Sequence, residues 1–288
     1  MLKQLSLLFL VGTLTSCSSY LLKNPEYATD IPEQTAVLPG VSNFRNVGGI
    51  TNTEGKTLKA GLIYRSANLT GLKSRNFLAF KELKIKKVID LRTDGEIAKA
   101  PDRIPPGVTY VHLPAFIDKG DEFSRGRKMV LKGQITSAEA EKRMLDFYKD
   151  YVTEKPEVVR NIVHQVLDSE APVLYHCTAG KDRTGIVTAL VLKVLKFDDE
   201  HIFNDYLYSN DLRKELVYKR LRLAKKAQTV YRKMDIAVLE KLSWIESDYL
   251  NATFAEIDLK YGSIDNYIHD VLQINEAQRQ AYIDKFME

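Results

Sequence analysis

The stretch His176-Cys177-Thr178-Ala179-Gly180-Lys181-Asp182-Arg183-Thr184-Gly185 decides the fold of this chain. The short apolar run Val173-Leu174-Tyr175 precedes it, and a longer apolar run, residues 186–192, follows it. This order predicts a buried strand, a tight loop and a buried helix. A loop that turns its backbone N–H groups inward at a positive helix N-terminus is suited to hold a tetrahedral anion.

Two side chains of this loop have the chemistry needed for thiolate attack on phosphorus. The positive field of the loop is expected to lower the pKa of Cys177, which makes its sulfur a nucleophile. Arg183, separated from the cysteine by five residues, offers a planar fork of donors to two phosphate oxygens. The sequence therefore predicts a phosphate site whose backbone amides come from Thr178, Ala179, Gly180, Lys181, Asp182 and Arg183.

Three other interpretations of the loop compete with this one. A buried cysteine is often only a small apolar core residue. A nucleotide-binding P-loop does not fit, because Tyr175 stands at the first glycine position and Asp182 replaces the magnesium-binding Ser or Thr. A rhodanese-like sulfur-transfer loop would leave the pair Arg183-Thr184 without an explanation. An active phosphatase loop is the favoured hypothesis.

The motif resembles that of the cysteine-dependent phosphatases: His-Cys, five residues, Arg, then Ser or Thr. Its full wording is similar to the atypical bacterial tyrosine phosphatases, including secreted mycobacterial and Listeria enzymes that also accept phosphoinositides. Five other stretches agree with this family and extend the resemblance over about residues 36–288: 43–49, 64–66, 88–92, 205–210 and 261–263. One departure is Asn46, where many members carry aspartate, so no acid role is placed there.

Strands mixed with helices, followed by a helical C-terminal half, predict an α/β fold with a central sheet flanked by helices, and the resemblance implies the fold of the cysteine-dependent phosphatases. The chemistry of the loop predicts a phosphocysteine intermediate on Cys177, with His176 orienting the loop and Thr184 donating to the sulfur. No metal or cofactor is expected. The five histidines are scattered and no second cysteine lies near His176, which argues against a zinc site.

A general acid must protonate the leaving oxygen, and three aspartates are candidates. Asp182 lies inside the loop, where a bound dianion favours its protonated form. Asp118 follows a predicted strand at a position that resembles the acid loop of dual-specificity phosphatases. Asp90 ends another strand and is predicted to be structural, tied to Arg92 or to a helix N-terminus. Asp182 is favoured, followed by Asp118.

The leading functional hypothesis is hydrolysis of phosphotyrosine, with phosphoserine, phosphothreonine and phosphoinositides as further substrates. Lys181 and the segment Arg213 to Lys233, with nine basic residues and one acid, favour an alternative in which a phosphoinositide or another small phosphate ester is the substrate. A phosphate-binding surface lipoprotein without turnover is a third hypothesis. The net charge of +4 fits an acidic ligand but does not indicate nucleic acid.

The N-terminus is typical of an export signal. Lys3 precedes an apolar stretch at 5–14, and Leu14-Thr15-Ser16-Cys17 resembles a bacterial lipobox. Residues 1–16 are therefore predicted to be a lipoprotein signal peptide, and residues 17–35 a lipidated cysteine and tether. The alternative is an ordinary signal peptide with an incidental cysteine. We expect an exported, membrane-anchored bacterial lipoprotein facing the periplasm or the cell surface; its oligomeric state is not defined by the sequence.

The hydrophobic patterns divide the domain, residues 36–288, into strands followed by helices. Strands are predicted at 62–64, 87–91, 108–113 and 173–175, and helices at 72–83, at 158–167 and almost throughout beyond Phe197. A further helix is predicted to begin after Thr136, whose spacing to Glu139 forms a capping box. Residues 119–134, with three glycines, are predicted to be a loop. The insertion 119–152 is interpreted as a lid over the cleft, the alternative being a surface excursion.

Overall fold

The computed structural model describes residues 25–30, 37–116 and 122–288, and the side chains of residues 122–124 lie outside that description. Its centre is a five-stranded sheet with strand order β1-β2-β5-β3-β4. The strands are β1 (Arg45–Asn46), β2 (Ile63–Ser66), β3 (Lys87–Asp90), β4 (Thr109–His112) and β5 (Val173–His176). Strand β1 is antiparallel to β2, and the other neighbouring pairs are parallel.

Helices surround this sheet and fill the C-terminal half of the chain, which confirms the predicted α/β class. The first six helices are α1 (Phe77–Glu82), α2 (Asp94–Lys99), α3 (Glu122–Leu131), α4 (Ser137–Thr153), α5 (Pro156–Leu167) and α6 (Asp182–Val194). The remaining ones are α7 (Asp199–Ala227), α8 (Ile236–Ser243), α9 (Ser247–Tyr261), the short α10 (Ile264–Asn266), a π-helical turn (Tyr267–Val271) and α11 (Glu276–Phe286). In the described ranges, no helix combines the length and apolar character that crossing a bilayer requires.

Side chains alternate between the two faces of the sheet, as the pleat requires. Ile63, Ile89 and Val173 belong to the main core with α5 and α6, whereas Tyr64 and Leu174 belong to a smaller core beside α1. Strand β5 is fully buried because both of its faces are covered. Its short apolar run is therefore the central strand.

The register brings the loop residues to one edge of the sheet. His176, the last residue of β5, is paired with Ser66 of β2 on one side and with Asp90 of β3 on the other. Because these three strands are parallel, their carboxyl ends meet where the loop 177–181 begins. That edge is the usual ligand position in open α/β sheets.

Most of the predicted helices are present. The capping box of Thr136 and Glu139 starts α4 as expected. The predicted helix 158–167 begins two residues earlier, at Pro156, which is favourable at a first helical position. The predicted helix 72–83 is α-helical only over Phe77–Glu82, after a 3₁₀ turn at Ser74–Asn76.

The prediction of a loop at 119–134 was wrong over Glu122–Leu131, which forms α3. Gly133 has a φ of +63° and lies just beyond the helix, where its N–H bonds to the carbonyl of Val130. A glycine there is a helix stop signal. The helix is stabilised by tertiary contact, because Val130 packs in a third core with residues far along the chain.

This third core is separate from the two cores of the sheet. It joins α3 and the start of α4 to α7 and α8, through Val130, Ile135, Ala140, Val217, Leu221, Met234, Ile236, Val238 and Trp244. We call this group of helices the cover. It consists of α3, all of α8 and the C-terminal half of α7.

Candidate active site

Gly180 fixes the shape of the loop. Its φ is +67°, and a Cβ there would lie 2.2 Å from the carbonyl oxygen of Ser66. Its own carbonyl accepts hydrogen bonds from Asn43 Nδ2 at 2.8 Å and from Arg65 Nη2 at 2.9 Å. Only glycine fits both the backbone conformation and the close approach to β2.

Behind the loop, Asp205 of α7 joins two buried arginines. Arg45 Nε lies 2.8 Å from Asp205 Oδ1, and Arg65 donates to Asp205 Oδ2. Burial alone would raise the pKa of Asp205, but the two guanidinium groups lower it below its usual range. The family stretches at 43–49, 64–66 and 205–210 therefore meet in one network that supports the loop.

Beneath the cysteine, His176 is held by a second ionic network. Its Nε2 lies 3.0 Å from Asp102 Oδ2, and its Nδ1 lies 3.2 Å from the carbonyl oxygen of Cys177. Burial opposes a charged imidazole, but Asp102 and Asp90 outweigh it and raise the pKa of His176. This geometry supports the predicted role of His176 in orienting the loop.

Asp90 is structural, as the sequence suggested. Arg92 Nη2 lies 2.7 Å from Asp90 Oδ2 and also 2.7 Å from Asp102 Oδ2. Although Asp90, Asp102 and His176 are residue types that bind metals and their ligand atoms lie within 4.8 Å of one another, the guanidinium of Arg92 already bridges the two carboxylates. The cluster does not fit a cation.

Glu96 is a site residue that the sequence analysis missed. Its two carboxylate oxygens each accept a hydrogen bond of 2.7 Å from Arg183, one from Nη1 and one from Nη2. Thr178 Oγ1 donates to the same carboxylate. Burial alone would raise the pKa of Glu96, but Arg183 and these donors lower it to about 2. Glu96 therefore stays ionised and fixes the plane of the guanidinium.

The sequence around Glu96 indicates only a structural role, the capping of a helix. Thr93 and Glu96 form a capping box at the start of α2, and Glu96 Oε2 accepts from the backbone N–H of Thr93 at 3.0 Å. A capping box is visible in sequence. Its second contact, with an arginine 87 residues away, is not.

Cys177 lies at the bottom of the site, with 2% of its surface exposed. Burial alone would raise the pKa of its thiol. The positive charge of Arg183 and the neighbouring polar groups of Thr184 outweigh burial, so the pKa is lowered. These contacts are the ones that a stable thiolate needs.

Asp182 is held by one phenol and one ammonium group. Tyr148 Oη donates to Asp182 Oδ1 at 3.0 Å and lies 2.7 Å from Tyr206 Oη. Lys181 Nζ is also 3.0 Å from Asp182 Oδ1 and reaches the carbonyl oxygen of Trp244 at 3.4 Å. The Lys181 side chain is buried and is directed at these partners. Asp118, the second acid candidate, lies outside the described residues.

A cavity of about 1100 Å³ opens above Asp182 and Arg183. Its aromatic wall includes Phe116, whose ring centre is 5.3 Å from Arg183 Cζ. Phe147 packs edge-on against Phe116 at 6.1 Å and contacts Tyr151 at 5.9 Å. Six charged side chains also line the cavity: Arg127, Arg143, Asp146, Asp150, Glu154 and Lys155. The cavity thus has Asp182 and Arg183 at its floor and an aromatic wall beside them.

A family model described as "Tyrosine phosphatase family" matches residues 36–288. The chain belongs to this family. Triple specificity protein phosphatase PtpB of Mycobacterium tuberculosis is 32% identical over 264 residues, which cover 81% of this chain and 92% of that protein. A predicted tyrosine-protein phosphatase of Cupriavidus necator is 28% identical over 242 residues, which cover 84% of this chain and 85% of that protein. The chain is therefore a protein-tyrosine phosphatase.

Similarity to solved structures is more distant. The structure of TpbA from P. aeruginosa aligns with 71% of this chain and 97% of its own, at 17% identity and a TM-score of 0.31.

The walls of the phosphatase cavity come from both sides of the catalytic loop. The predicted insertion, 119–152, contributes Val130 and Leu131 of α3 and Met144 of α4. The sequence analysis missed the other side, where Leu223 of α7 and Leu239 of α8 line the same cavity. Both sides are joined by the third core, so the cavity is lined by residues from distant parts of the chain.

Proposed function

We propose that this phosphatase hydrolyses phosphotyrosine through a phosphocysteine intermediate on Cys177. The observation that carries the proposal is the position of Arg183, which Glu96 holds at the floor of an aromatic-walled cavity beside an acidified thiol. A phosphotyrosine offers a dianion for the floor and a ring for the wall formed by Phe116 and Phe147. The same loop accepts phosphoserine and phosphothreonine with less contact to the wall.

In the first step, the Cys177 thiolate attacks phosphorus. An S–P bond forms, the P–O bond to the tyrosyl oxygen breaks, and the departing oxygen takes a proton from the Asp182 carboxyl group. Arg183 and the amides of the loop neutralise charge on the three non-bridging oxygens as the bond breaks.

In the second step, water attacks the phosphocysteine. Asp182, now a carboxylate, accepts the water proton, the P–O bond to water forms, and the S–P bond breaks to release inorganic phosphate. Thr184, whose hydroxyl is buried and makes no other hydrogen bond within the described residues, would donate to the sulfur as it leaves with its electron pair. The enzyme returns to its starting state.

Asp182 is favoured as the general acid because it lines the cavity and Tyr148 orients its carboxyl group. Asp118 remains the second candidate. To test both residues, each is substituted by asparagine, and the turnover of two aryl phosphates is measured. We expect D182N to slow phenyl phosphate, a poor leaving group, at least tenfold more than p-nitrophenyl phosphate. Equal losses for both substrates would exclude proton donation by the substituted residue.

The decisive experiment measures p-nitrophenyl phosphate turnover in the presence of EDTA. Cys177→Ser is expected to abolish it, because serine gives no nucleophile at neutral pH comparable to a thiolate. Cys17→Ser, which removes the chain's other cysteine, is the matched control and should turn over normally. Turnover that survives in C177S would disprove the mechanism.

A second candidate substrate is a phosphoinositide. The cavity volume of about 1100 Å³ exceeds what a phosphotyrosine side chain fills. Arg127, Arg143 and Lys155 on its walls offer cations to further phosphates, although three carboxylates line the same walls. Parallel measurement of kcat/KM for phosphotyrosine peptides and for short-chain phosphoinositides distinguishes the two. A phosphoinositide preference would keep the chemistry and change the substrate. Tight orthovanadate binding with no burst of product would instead support a phosphate-binding protein.

We also propose that the protein is an exported lipoprotein, acylated on Cys17 and tethered by residues 17–35. These residues lie outside the described part of the chain, so the support is the lipobox-like sequence alone. Metabolic labelling with an alkyne fatty acid should mark the wild type and not Cys17→Ala. Equal labelling of both would refute the assignment.

A further inference from the structure

The C-terminal half of α7 and the turn after it carry an unusually basic surface. Eight basic side chains between residues 214 and 233 are exposed: Lys214, Lys219, Arg220, Arg222, Lys225, Lys226, Arg232 and Lys233. Glu215 is the single acidic residue in that range. Within the described residues, no carboxylate pairs with Lys225, Lys226, Arg232 or Lys233. Their charge is thus available to an external anion.

Large apolar side chains are exposed within the same surface. Val230 and Tyr231, in the turn between α7 and α8, are 76% and 47% exposed, and Leu223 is 57% exposed. Single exposed apolar residues are ordinary on protein surfaces. Three within nine residues, surrounded by lysine and arginine, match the composition of segments that lie in a membrane interface. A tyrosine suits that boundary because its ring is apolar and its hydroxyl is polar.

This surface continues to the mouth of the active-site cavity. Leu223 and Arg127 line the cavity, and Arg127, Lys128 and Lys132 add exposed positive charge from α3 and its end. The two segments are in direct contact, because a Cβ on Gly133 would lie 2.0 Å from the carbonyl oxygen of Lys233. We call residues 127–132 and 219–233 the basic face.

We propose that the basic face binds an anionic lipid bilayer, with Val230 and Tyr231 entering the headgroup region and the cavity mouth turned toward the membrane. Lysine and arginine are attracted to anionic headgroups over a Debye length, and the two apolar side chains add burial on contact. This face would bind the bilayer whether or not Cys17 is acylated, and whether the substrate is a phosphotyrosine or a phosphoinositide.

The test measures binding of the full chain to vesicles of phosphatidylcholine with about 30% phosphatidylglycerol, in the range where basic clusters respond to surface charge. All proteins carry Cys17→Ala, so that acylation does not mask the result. The patch variant is K225E/K226E/R232E/K233E, and the tip variant is V230S/Y231S. The matched control, K73E/R75E/K81E/K86E, makes the same charge change at exposed positions around α1. Turnover of p-nitrophenyl phosphate checks that each variant is folded.

We expect the parent and the control to bind anionic vesicles similarly and to bind pure phosphatidylcholine much less. The patch variant should lose binding at least about tenfold, and the tip variant a smaller amount, since charge supplies the larger attraction. Equal loss in patch and control would overturn the proposal, because binding would then depend on net charge alone. Polyglutamate serves as a probe for an acidic protein partner. If the tip variant binds vesicles as the parent does and the patch variant loses binding to polyglutamate, the face would belong to an acidic protein and the membrane proposal would be wrong.

Discussion

In the floor of the active site, buried ion pairs hold His176, Arg183 and the arginines behind the loop, whereas the cover is joined mainly by apolar packing. Asp102, Glu96 and Asp205 each bind a buried arginine in the floor. The cover has its own small core, and most of its charged side chains are exposed, with the largely buried Lys241 as an exception. From this difference we expect the floor to keep a fixed geometry and the cover to open more readily. Four substitutions test that contrast.

The largest effect is expected in the floor, from Asp102→Asn. Removing this charge leaves His176 and Arg92 with one buried carboxylate between them, and breaking such a network costs about 4 kcal/mol of unfolding free energy. Urea denaturation measures the loss. Asp94→Asn is the matched control, since the Asp94 side chain is 98% exposed and should change stability very little. A loss below about 1 kcal/mol for D102N would contradict the ionic description of the floor.

Leu221→Ala tests the cover. The side chain is buried in the third core, and its removal should cost about 3 kcal/mol locally. We expect amide exchange in α8 to accelerate while exchange in β5 stays slow, because the cover opens without unfolding the sheet. Leu190→Ala, in the main core, is the comparison and should accelerate both. If L221A also accelerated β5, floor and cover would be one cooperative unit.

Glu96→Gln sharpens the contrast through pH. The pKa of Glu96 is lowered to about 2, so its contribution to stability is present above its ordinary value near 4.5 and is lost as the pH falls toward 2. At neutral pH we expect E96Q to be less stable by about 2 kcal/mol, after allowing for solvent screening. The difference from wild type should shrink in unfolding curves taken from pH 5 down to pH 2. A constant difference would mean that the charge is not responsible.

Tyr148→Phe should have the smallest effect. It removes one neutral hydrogen bond to Asp182, which is worth about 1 kcal/mol, so kcat for phenyl phosphate should fall about fivefold. Turnover of p-nitrophenyl phosphate, which needs little protonation, should change less. Tyr206→Phe is the control, because Tyr206 reaches Asp182 only through Tyr148. Equal losses with both substrates would show a packing effect and not proton positioning.

The sequence predicted the strand–loop–helix unit well because the unit is local in sequence. Cys177, Arg183 and the helix that follows lie within one strand–loop–helix unit, and the period of the apolar residues is sufficient to place it. Asp90 was also assigned correctly, since its partner Arg92 is two residues away. Here, short sequence separation made the contacts predictable.

Contacts across long separations were not predictable. Glu96 was missed because its partner is 87 residues away, and the contribution of α7 and α8 to the cavity was missed because it depends on packing with α3. The same packing explains the wrong loop prediction at 122–131, where Gly126 lowers helix propensity but Val130 gains a buried position. Tertiary contacts outweighed local propensity there.

The clamp on Gly180 has a consequence for ligand binding. Asn43 and Arg65 donate hydrogen bonds to the Gly180 carbonyl from outside the loop. The Ser66 carbonyl oxygen lies where a Cβ of residue 180 would be, so no side chain fits there. The backbone of the loop is thus held in one conformation, so the proposed phosphate site does not have to be ordered by the ligand. The conformational entropy of ordering this loop is lost once, during folding, and not again in each catalytic cycle.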